Sequence, residues 1–402
     1  MVVSRMDRAL ELQIVDELLD VLANQTVDLV DTVREEPVTA YTDPELWSRE
    51  RKRLFQRTPV VAALSAELPD PGSWKLFDES GIPIVLIRGD DGIVRGFLNV
   101  CGHRGARLVD EDRGQTRRLS CPFHGWSYKP DGSLVGVPRP STFAGVCLQD
   151  RALRPVQVAE HLGMVWVVAD PAGPPLDLPA HLGAFAEDLS KWDILRWRHL
   201  ETRTHDIPAN WKIVTDTFTE GYHIPVLHKG SVGPMIAGGL NAYRAFGDHQ
   251  REVFAMKNLE ELREVPREQR NAFAEGRIIF TYDIYPNTIL QIGGDHAESY
   301  RVFPGEAVGS SMCVHSYFTL GETTDDEAEQ HRQTFDFFYN LVGQEDFKVA
   351  AGVQKGLHTG AYDTYLYGRM EPATQVWHAA FQRDTHAPQA APDQPVVAIA
   401  GS

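Results

Sequence analysis

The chain has 402 residues, of which 43% are hydrophobic and 24% charged, ordinary values for a globular protein. This length exceeds one ordinary hydrophobic core, so two domains or one large elaborated domain are expected. The formal net charge is −17 and no long basic run occurs, which makes nucleic acid and anionic membrane surfaces poor partners.

Residues 1–40 are predicted to form an N-terminal helical segment, because Leu10, Ile14 and Leu18 recur at helical spacing. The segment lacks a basic stretch followed by an unbroken apolar run, so no signal peptide is expected. No stretch approaches the 18 apolar residues of a membrane span. Four cysteines in 402 residues do not make a disulfide framework. A reducing, cytoplasmic location is therefore expected.

Residues 41–170 have the pattern of a small β domain. The runs IPIVLIRG and IVRGFLNV flank a DDG turn and predict a β-hairpin. A PDG turn at 130–132 and the apolar run GMVWVVAD at 163–170 continue the pattern. The Pro/Gly-rich stretch 170–179 is the predicted domain boundary.

The second domain is predicted to span residues 171–385 and to be α+β. A helix is expected to begin near residue 209 and to be broken by Pro225. Apolar, β-prone runs across 278–320 predict antiparallel strands, and a long helical pattern covers 325–357. The Pro/Ala-rich residues 386–402 are predicted to be a disordered tail.

Two Cys-and-His pairs mark the first candidate site: CGHRG contains Cys101 and His103, and CPFHG contains Cys121 and His124. Two Cys and two His could bind zinc tetrahedrally. They could also bind a [2Fe–2S] cluster with both Cys on one iron and both His on the other. Zinc fingers usually keep their cysteines together and their histidines together, whereas here each loop offers one of each, which favours the cluster.

The stretches CGHRGARL and CPFHGWSYKPDG closely resemble the Rieske domain of the Rieske-type non-haem iron ring-hydroxylating oxygenases, large (α) subunit. Respiratory Rieske proteins carry an extra Cys in each loop, joined as a disulfide. Here Ala106 and Phe123 occupy those positions, so the resemblance implies the lower-potential cluster of oxygenases or ferredoxins. The cluster ligands implied by the resemblance are Cys101, His103, Cys121 and His124.

The resemblance also implies a fold and a system of partners. The fold would be α+β, with an antiparallel β-sandwich Rieske domain followed by a helix-grip catalytic domain whose antiparallel sheet wraps around helices. The chain has no nicotinamide or flavin fingerprint, so NAD(P)H-derived electrons would come from a separate reductase, with or without a ferredoxin. The expected assembly is a homotrimer (α3) or α3β3.

The second candidate site is EGYHIPVLH at 220–228, in which His223 and His228 lie on either side of Pro225. A chain break at the proline would let both imidazoles converge. Non-haem iron oxygenases use two His and one carboxylate, and they keep coordination positions open for O2. The E-x-x-H-x4-H spacing resembles the motif of the same family, and the resemblance implies a mononuclear Fe(II) site.

The family places the third iron ligand in a late helix, where this sequence has Glu345 and Asp346. Helical spacing puts Asp346 near the centre of an apolar stripe. A carboxylate on a buried face is costly unless it is paired or bound to metal, so Asp346 is the predicted ligand. The stripe consists of Phe335, Tyr339, Val342, Val349 and Val353.

Glu220 lies one helical turn before His223 and is the predicted electron bridge. In the family, the equivalent acid links an iron-ligating His to a cluster-ligating His of the next subunit in a head-to-tail trimer. The resemblance therefore implies a path from His124 of the partner subunit through Glu220. The alternatives are a solvated helix acid or a carboxylate that pairs with a metal-ligating residue. Asp216 receives no role, and Cys147 and Cys313 are expected to be buried and inert.

The expected activity is that of a terminal oxygenase that activates O2 and mono- or dihydroxylates an aromatic or other lipophilic molecule, as in aromatic hydrocarbon catabolism. The alternatives are an N- or O-demethylase of a quaternary amine or methoxy compound, a non-catalytic Rieske electron-transfer or ligand-binding protein, and a zinc-stabilised binding protein. The residues expected to line the pocket are Phe218, Met235, Ile236, Tyr282, Ile284, Leu290, Ile292 and Tyr317.

Overall fold

A computed structural model describes residues 6–386. The tail predicted for 386–402 lies outside the described residues, apart from His386. No helix between residues 6 and 386 is long and apolar enough to cross a membrane.

The first part of the chain is mostly β-structure. Its elements are α1 Arg8–Asn24, β1 Arg34–Pro37, α2 Thr39–Thr42, α3 Pro44–Glu50, β2 Val60–Leu64, β3 Ser73–Phe77, β4 Ile84–Arg88, β5 Val94–Leu98, β6 Arg113–Gln115, β7 Leu119–Ser120, β8 Ser127–Tyr128, β9 Leu134–Gly136, β10 Pro155–His161 and β11 Met164–Val168. One seven-stranded sheet has the order β2-β11-β10-β5-β4-β3-β6, and β7-β8-β9 form a three-stranded sheet. The predicted hairpin is β4–β5, with Ile84 opposite Leu98.

The N-terminal helix α1 forms as its sequence predicts, but it covers only part of residues 1–40. The Asp7 carboxylate caps it by accepting a hydrogen bond from the Leu10 amide at 2.9 Å. Ile14 and Leu18 are fully buried. The segment after α1 holds β1, which pairs with a strand near the C-terminus. The N-terminal segment is thus built into the second domain instead of standing apart.

The second part of the chain is an antiparallel sheet with helices. Its elements are α4 Leu178–Leu182, α5 Phe185–Leu189, β12 Arg198–Ile207, α6 Trp211–Asp216, α7 Ile224–Leu227, β13 Ile236–Phe246, β14 His249–Met256, β15 Ile278–Ile284, β16 Thr288–Gly293, β17 His296–Pro304, β18 Ser311–Thr319, α8 Asp325–Gln344, α9 Asp346–Leu357, β19 Thr364–Tyr367 and α10 Pro372–His386. Seven strands form the sheet, in the order β12-β18-β17-β16-β15-β14-β13. The strands predicted across 278–320 are β15 to β18.

The two faces of this sheet pack against different helices. Because side chains alternate along a strand, Tyr300 and Cys313 face the core that contains α6 and α9. Phe280 and Leu290 instead belong to the core that contains the apolar face of α1. The inner face, toward α6 and α9, therefore carries the candidate iron site.

The chain around 209–228 differs from its prediction. Helix α6 ends at Asp216, irregular turns cover 217–223, and Pro225 lies in the first turn of α7. Proline is favoured there because its missing N–H would have no intrahelical partner. The prediction that Pro225 breaks a helix was wrong, because the break precedes it.

The pattern at 325–357 forms two helices instead of one. The break is Glu345, whose backbone angles are φ −106° and ψ −72°. A Thr324–Glu327 capping box starts α8, and α9 begins at Asp346. The break rotates the later residues, so Val349, counted in the apolar stripe, is 46% exposed.

A buried ionic network joins the β domain to the second sheet. Glu67 lies 2.6 Å from Lys75 and 3.2 Å from Arg301 of β17. Burial alone would raise the pKa of Glu67, but the cations Arg301 and Lys75 outweigh burial and hold that pKa well below its ordinary range. Breaking such a network leaves an uncompensated buried charge, so the domains are held in one arrangement.

The two cysteines outside the candidate cluster differ from each other. Cys313 is buried, as predicted. Cys147 is exposed, and its predicted burial was wrong. It precedes a short 3-10 turn, Leu148–Arg151, in which no residue is buried.

Candidate metal centres

The two loops that carry the Cys-and-His pairs repeat one backbone turn. The Gly105 amide donates to the Cys101 carbonyl, and the Gly125 amide donates to the Cys121 carbonyl, both at 3.0 Å. Gly105 and Gly125 have φ of +79° and +72°, a region that residues with a Cβ rarely occupy. The repeated turn presents each Cys and each His in the same way.

The two imidazoles of these loops lie side by side. Their ring centroids are 4.8 Å apart, and His103 also stacks on Trp126 at 4.9 Å with an interplanar angle of 6°. The Nδ1 atom of His103 is buried without a hydrogen-bond partner. Burial and the neighbouring His124 lower the pKa of His103. A neutral imidazole with an unpartnered nitrogen is the form that binds a metal.

The two thiols of the loops are buried beside each other. Cys101 and Cys121 are 2% and 3% exposed. Burial raises the pKa of Cys101, although a hydrogen bond from Tyr128 opposes this shift. The Tyr128 hydroxyl is 3.4 Å from the Cys101 Sγ and accepts from the Gly102 amide at 2.9 Å. Two thiols and two imidazoles thus converge in a donor set that fits a [2Fe–2S] cluster.

The tip of the β domain is exposed and basic. His124 and Phe123 are exposed, Phe123 by 57%. Residues 101–154 contain nine Lys or Arg and five Asp or Glu, although the whole chain has a net charge of −17. The candidate cluster therefore lies next to a surface whose charge is opposite to that of the rest of the molecule.

The second site brings together His223, His228 and Asp346. The two Nε2 atoms are 3.2 Å apart. The Asp346 Oδ1 lies 3.5 Å from His223 Nε2 and 3.3 Å from His228 Nε2. These are the residues whose candidate ligand atoms all lie within 4.8 Å of one another. Two imidazoles and one carboxylate facing a common point fit a non-haem iron.

Two further acids hold the imidazoles by their other nitrogens. Glu220 pairs with Nδ1 of His223 and accepts from its backbone amide at 3.1 Å. Glu345 is 2.6 Å from Nδ1 of His228. Such contacts orient a ligating ring and select its tautomer. Burial lowers the pKa of His228, but Asp346 and Glu345 outweigh burial and raise it.

The break between α8 and α9 explains how adjacent acids reach opposite sides of one ring. Glu345 ends one helix and approaches Nδ1 of His228, while Asp346 begins the next and approaches Nε2. On one continuous helix, neighbouring residues point about 100° apart. Sequence reasoning treated Glu345 only as a rival ligand and missed its role as a partner of His228.

Asp216 belongs to a separate buried network. Its carboxylate accepts from the Tyr367 hydroxyl at 2.6 Å and lies 2.9 Å from Nε2 of His378. Tyr41 contacts the same Tyr367 hydroxyl. This network ties α6 to β19 and α10, so Asp216 has a structural setting that the sequence did not indicate.

A cavity of about 180 Å³ lies on one side of the triad. Phe218, Met235 and Ile236 line it, as expected. Of the other expected residues, four lie on the opposite face of the sheet, and one, Tyr317, packs against Phe335. The four are Tyr282, Ile284, Leu290 and Ile292. Both faces of these strands are apolar, so alternation could not show which face lines the cavity.

The sequence missed several residues that line the same cavity. They are Phe254, Met256, Ile279, Thr281, Gln291, Tyr300 and Phe338. On β14 and β15 they stand at alternate positions, as one face of a sheet requires. The alternation was visible in the sequence, but the prediction assigned the cavity to the residues of the opposite face.

A second, larger space of about 570 Å³ lies on the other side of the triad. We call it the groove. Glu220, His223 and Asp346 line both the groove and the cavity. Glu371 and Asp216 add two acids to the groove, and no Lys or Arg of residues 6–386 lines it. The triad thus separates an apolar cavity from an acidic groove.

Two family models match the chain. The Rieske [2Fe–2S] domain matches residues 58–157, and the ring hydroxylating alpha subunit (catalytic domain) matches residues 194–385. The chain belongs to the Rieske-type non-haem iron ring-hydroxylating oxygenases, as the large (α) subunit. Its cofactors are a Rieske [2Fe–2S] cluster and a mononuclear iron, and O2 is its co-substrate. It is a terminal oxygenase component that needs a reductase.

Three relatives are monooxygenases of ammonium compounds. The carnitine monooxygenase oxygenase subunit of Escherichia coli (strain K12) is 28% identical, over 81% of this chain and 85% of that protein. The glycine betaine monooxygenase oxygenase subunit of Chromohalobacter salexigens is 25% identical, over 83% and 81%. The chloroplastic choline monooxygenase of Arabidopsis thaliana is 25% identical, over 85% and 81%.

Solved structures show the same fold. A quaternary ammonium Rieske monooxygenase in complex with L-carnitine has a TM-score of 0.73 at 21% identity, covering 91% of this chain and 98% of that chain. Naphthalene 1,2-dioxygenase from Rhodococcus sp. has a TM-score of 0.70 at 18% identity, covering 94% and 99%. The predicted α+β architecture, a Rieske domain followed by a catalytic domain, is confirmed.

Proposed function

We propose that this chain oxygenates a quaternary or related ammonium compound as a monooxygenase. The observation that carries this proposal is that the three relatives are named as monooxygenases of carnitine, glycine betaine and choline. The cavity supports it, because Phe218, Phe254 and Tyr300 offer aromatic faces, and such faces attract alkylammonium groups. Oxygenation of a methyl or methylene group beside the nitrogen would release an amine and an aldehyde.

A second candidate function is hydroxylation of an aromatic or other lipophilic molecule. The cavity favours it in one respect, since apolar side chains such as Ile224, Ile236 and Leu341 contribute much of the lining. The likeness to naphthalene 1,2-dioxygenase concerns the fold alone.

We assign the iron to His223, His228 and Asp346, and the cluster to Cys101, His103, Cys121 and His124. When bound, the cluster supplies electrons and the iron supplies open coordination positions at which O2 is reduced. Here Glu345 and Glu220 hold the ring nitrogens in the tautomer that leaves both Nε2 atoms free. The apolar cavity wall excludes water from the reacting substrate.

Glu220 is assigned the electron bridge between subunits. It contacts His223 and lines the groove, so it can meet a group that approaches from outside. The exposed His124 is such a group on another copy. Among residues 6–386, no hydrogen bond, ion pair or ring contact joins the two candidate metal centres within one chain.

Charge and shape support a homotrimer. The basic tip at 101–154 complements the acidic groove, which holds Glu371 beside Glu220. Exposed Phe123 on the tip and exposed Tyr362 at the groove, 57% and 81% accessible, offer apolar contacts. Two different surfaces that fit each other make a head-to-tail interface, which closes into a ring. A ferredoxin between reductase and oxygenase is an additional component of this proposal.

The test is a substrate panel with the reconstituted holoenzyme and a surrogate reductase. Choline, glycine betaine, carnitine and naphthalene are each offered, while O2 consumption and product mass are followed. The proposal expects coupled O2 uptake and an aldehyde product with at least one ammonium compound. Turnover of naphthalene alone would support the second candidate. Metal analysis giving only the two cluster irons, without O2 uptake, would favour a non-catalytic electron carrier.

A further inference from the structure

Gln291 is a polar side chain on a mostly apolar wall of the cavity. It belongs to β16, where Leu290 and Ile292 are part of the core that contains the apolar face of α1. Because side chains alternate along a strand, Gln291 lies on the inner face, as its neighbour Ile289 does, and it lines the cavity. The triad residues come from the ends of α7 and α9, so Gln291 and the triad line the cavity from different layers of the domain.

The carboxamide of Gln291 has no hydrogen-bond partner within residues 6–386. Its cross-strand neighbours are Thr281 and Glu298, yet it bonds to neither. The Oε2 of Glu298 accepts instead from the Tyr300 hydroxyl and lies 3.2 Å from Nε2 of His315. A carboxamide offers two N–H donors and one acceptor oxygen, so Gln291 brings a complete and unused hydrogen-bonding group to the cavity.

The other polar groups that line the cavity are engaged or out of reach. The Tyr300 hydroxyl is already donated, and the Thr217 hydroxyl donates to the Val214 carbonyl at 2.8 Å. Thr281 is 0% exposed, whereas Gln291 is only half-buried. The remaining polar members of the lining are Glu220 and the triad, which belong to the iron site. Of the uncharged lining residues, Gln291 is therefore the one that is both reachable and free to donate and accept.

The composition of the lining limits the class of group that Gln291 can bind. None of the lining residues is Lys or Arg, while Glu220 and Asp346 are acids. A substrate carboxylate placed there would be a buried charge without a cation, which is costly. A hydroxyl or carbonyl group needs only a neutral partner, of the kind that one carboxamide provides.

We propose that Gln291 determines substrate specificity by hydrogen-bonding an uncharged hydroxyl or carbonyl group of the substrate. This inference rests on the proposed function and deepens it, because it names the second functional group of the ammonium compound. A site built to hydrogen-bond a polar group rejects an analogue that lacks the group, since the polar side chain of the protein is then left unpaired. The carboxamide would also fix which end of the substrate lies toward the triad.

The test measures binding to the holoenzyme by calorimetry without O2, using two matched pairs of probes. The first pair is choline and n-propyltrimethylammonium, in which a methyl group replaces the hydroxyl. The second pair is the carboxamide of glycine betaine and glycine betaine itself. Apolar walls alone would favour the methyl compound, but the bond to Gln291 should make choline bind about threefold tighter or more. The carboxamide should bind about tenfold tighter than the carboxylate. Equal or tighter binding of the methyl compound, or of the carboxylate, would overturn the inference without any variant.

The variant Gln291→Met removes the donors and the acceptor and keeps a side chain of similar length. It should reverse the preference, so that n-propyltrimethylammonium binds about twofold tighter than choline or more. A purely structural role would weaken both probes equally and leave their ratio unchanged. Gln330→Met makes the same change at an exposed position of α8 and should keep the wild-type preference. A Gln291→Met protein that retains both metals and still prefers choline would refute the role of Gln291.

The same samples separate this inference from the proposed function. A choline preference that Gln291→Met reverses, without O2 uptake on any ammonium compound, would leave the hydrogen-bonding role standing and remove the proposed monooxygenase activity. Coupled O2 uptake on an ammonium compound, with no difference between the hydroxyl and methyl probes, would do the reverse.

Discussion

The two metal centres of this chain are built in opposite surroundings. The cluster loops lie at an exposed, basic tip, where short backbone turns position Cys101 and Cys121 and no acid within residues 6–386 pairs with either histidine. The triad lies at the junction of four helices and a sheet, with Asp346 buried and a carboxylate behind each imidazole. A centre that receives electrons must be reachable by a partner, whereas a centre that oxidises substrate must be shielded from water.

The largest effect should come from removing the buried carboxylate. Asp346→Ala should abolish turnover and lower mononuclear iron affinity by more than about 100-fold, because one of three ligands is lost. The cluster absorbance should be unchanged, since its loops lie in the other domain. Iron analysis and visible spectra test this, with Asp326→Ala, an exposed acid of α8, as the control. Normal iron content in the variant would remove Asp346 from the ligand set.

Glu345→Gln should weaken iron binding by about 10- to 100-fold without removing a ligand. The substitution keeps the shape at Nδ1 of His228 but takes away the charge that lies 2.6 Å from it. Titration of the apoprotein with Fe(II) measures the affinity. Glu329→Gln, an exposed acid on α8, is the matched control. An unchanged affinity would show that this contact does not tune the site.

Glu220→Gln should retain both metals yet slow turnover, on the order of tenfold or more. The reason is its position between His223 and the groove, where the partner subunit would dock. Stopped-flow oxidation of the reduced cluster in the presence of substrate and O2 measures the step. Glu187→Gln, an exposed and distant acid of α5, serves as the control. Cluster oxidation at the wild-type rate would remove the bridging role.

The smallest effect should be at the exposed centre. Tyr128→Phe removes the hydroxyl that lies 3.4 Å from the Cys101 sulfur, so the cluster potential should fall by tens of millivolts, on the order of 50 mV. A spectroelectrochemical titration measures it. Tyr339→Phe, whose hydroxyl donates to the Thr204 carbonyl in the other domain, should leave the potential unchanged. A shift of equal size in both variants would exclude a local cause.

The sequence predicted the geometry of the cluster loops more completely than the geometry of the triad. The loops are short turns whose glycines require a positive φ at Gly105 and Gly125, so local residues determine most of their geometry. His223 and His228 were found by their spacing, but the break that lets them converge lies at 217–223. There Thr219 bonds to Thr374 at 2.9 Å, far along the chain. A contact of that kind leaves no local pattern.

The selection of Asp346 from the sequence rested on an incomplete premise. Its spacing from Val342 placed it on a buried face, and it is buried. The single helix assumed for that reasoning is two helices, and Val349 is exposed as a result. Gly343 lies two residues before the break at Glu345 but is itself helical, so it does not fix where the chain turns; at the break, Glu345 contacts His228 from far along the chain. Likewise, the choice between the two apolar faces of β15 depends on which helices pack where.

The break at Glu345 also has a consequence for the mechanics of the catalytic domain. It brings a residue to His228 from 117 positions along the chain. A metal held by His223, His228 and Asp346 would close that long loop as a cross-link does, and a closed loop lowers the entropy of the unfolded chain. Iron loading should then appear as a rise in melting temperature that depends on iron concentration. In this protein, the catalytic ion would also stabilise the fold by linking α7 to α9.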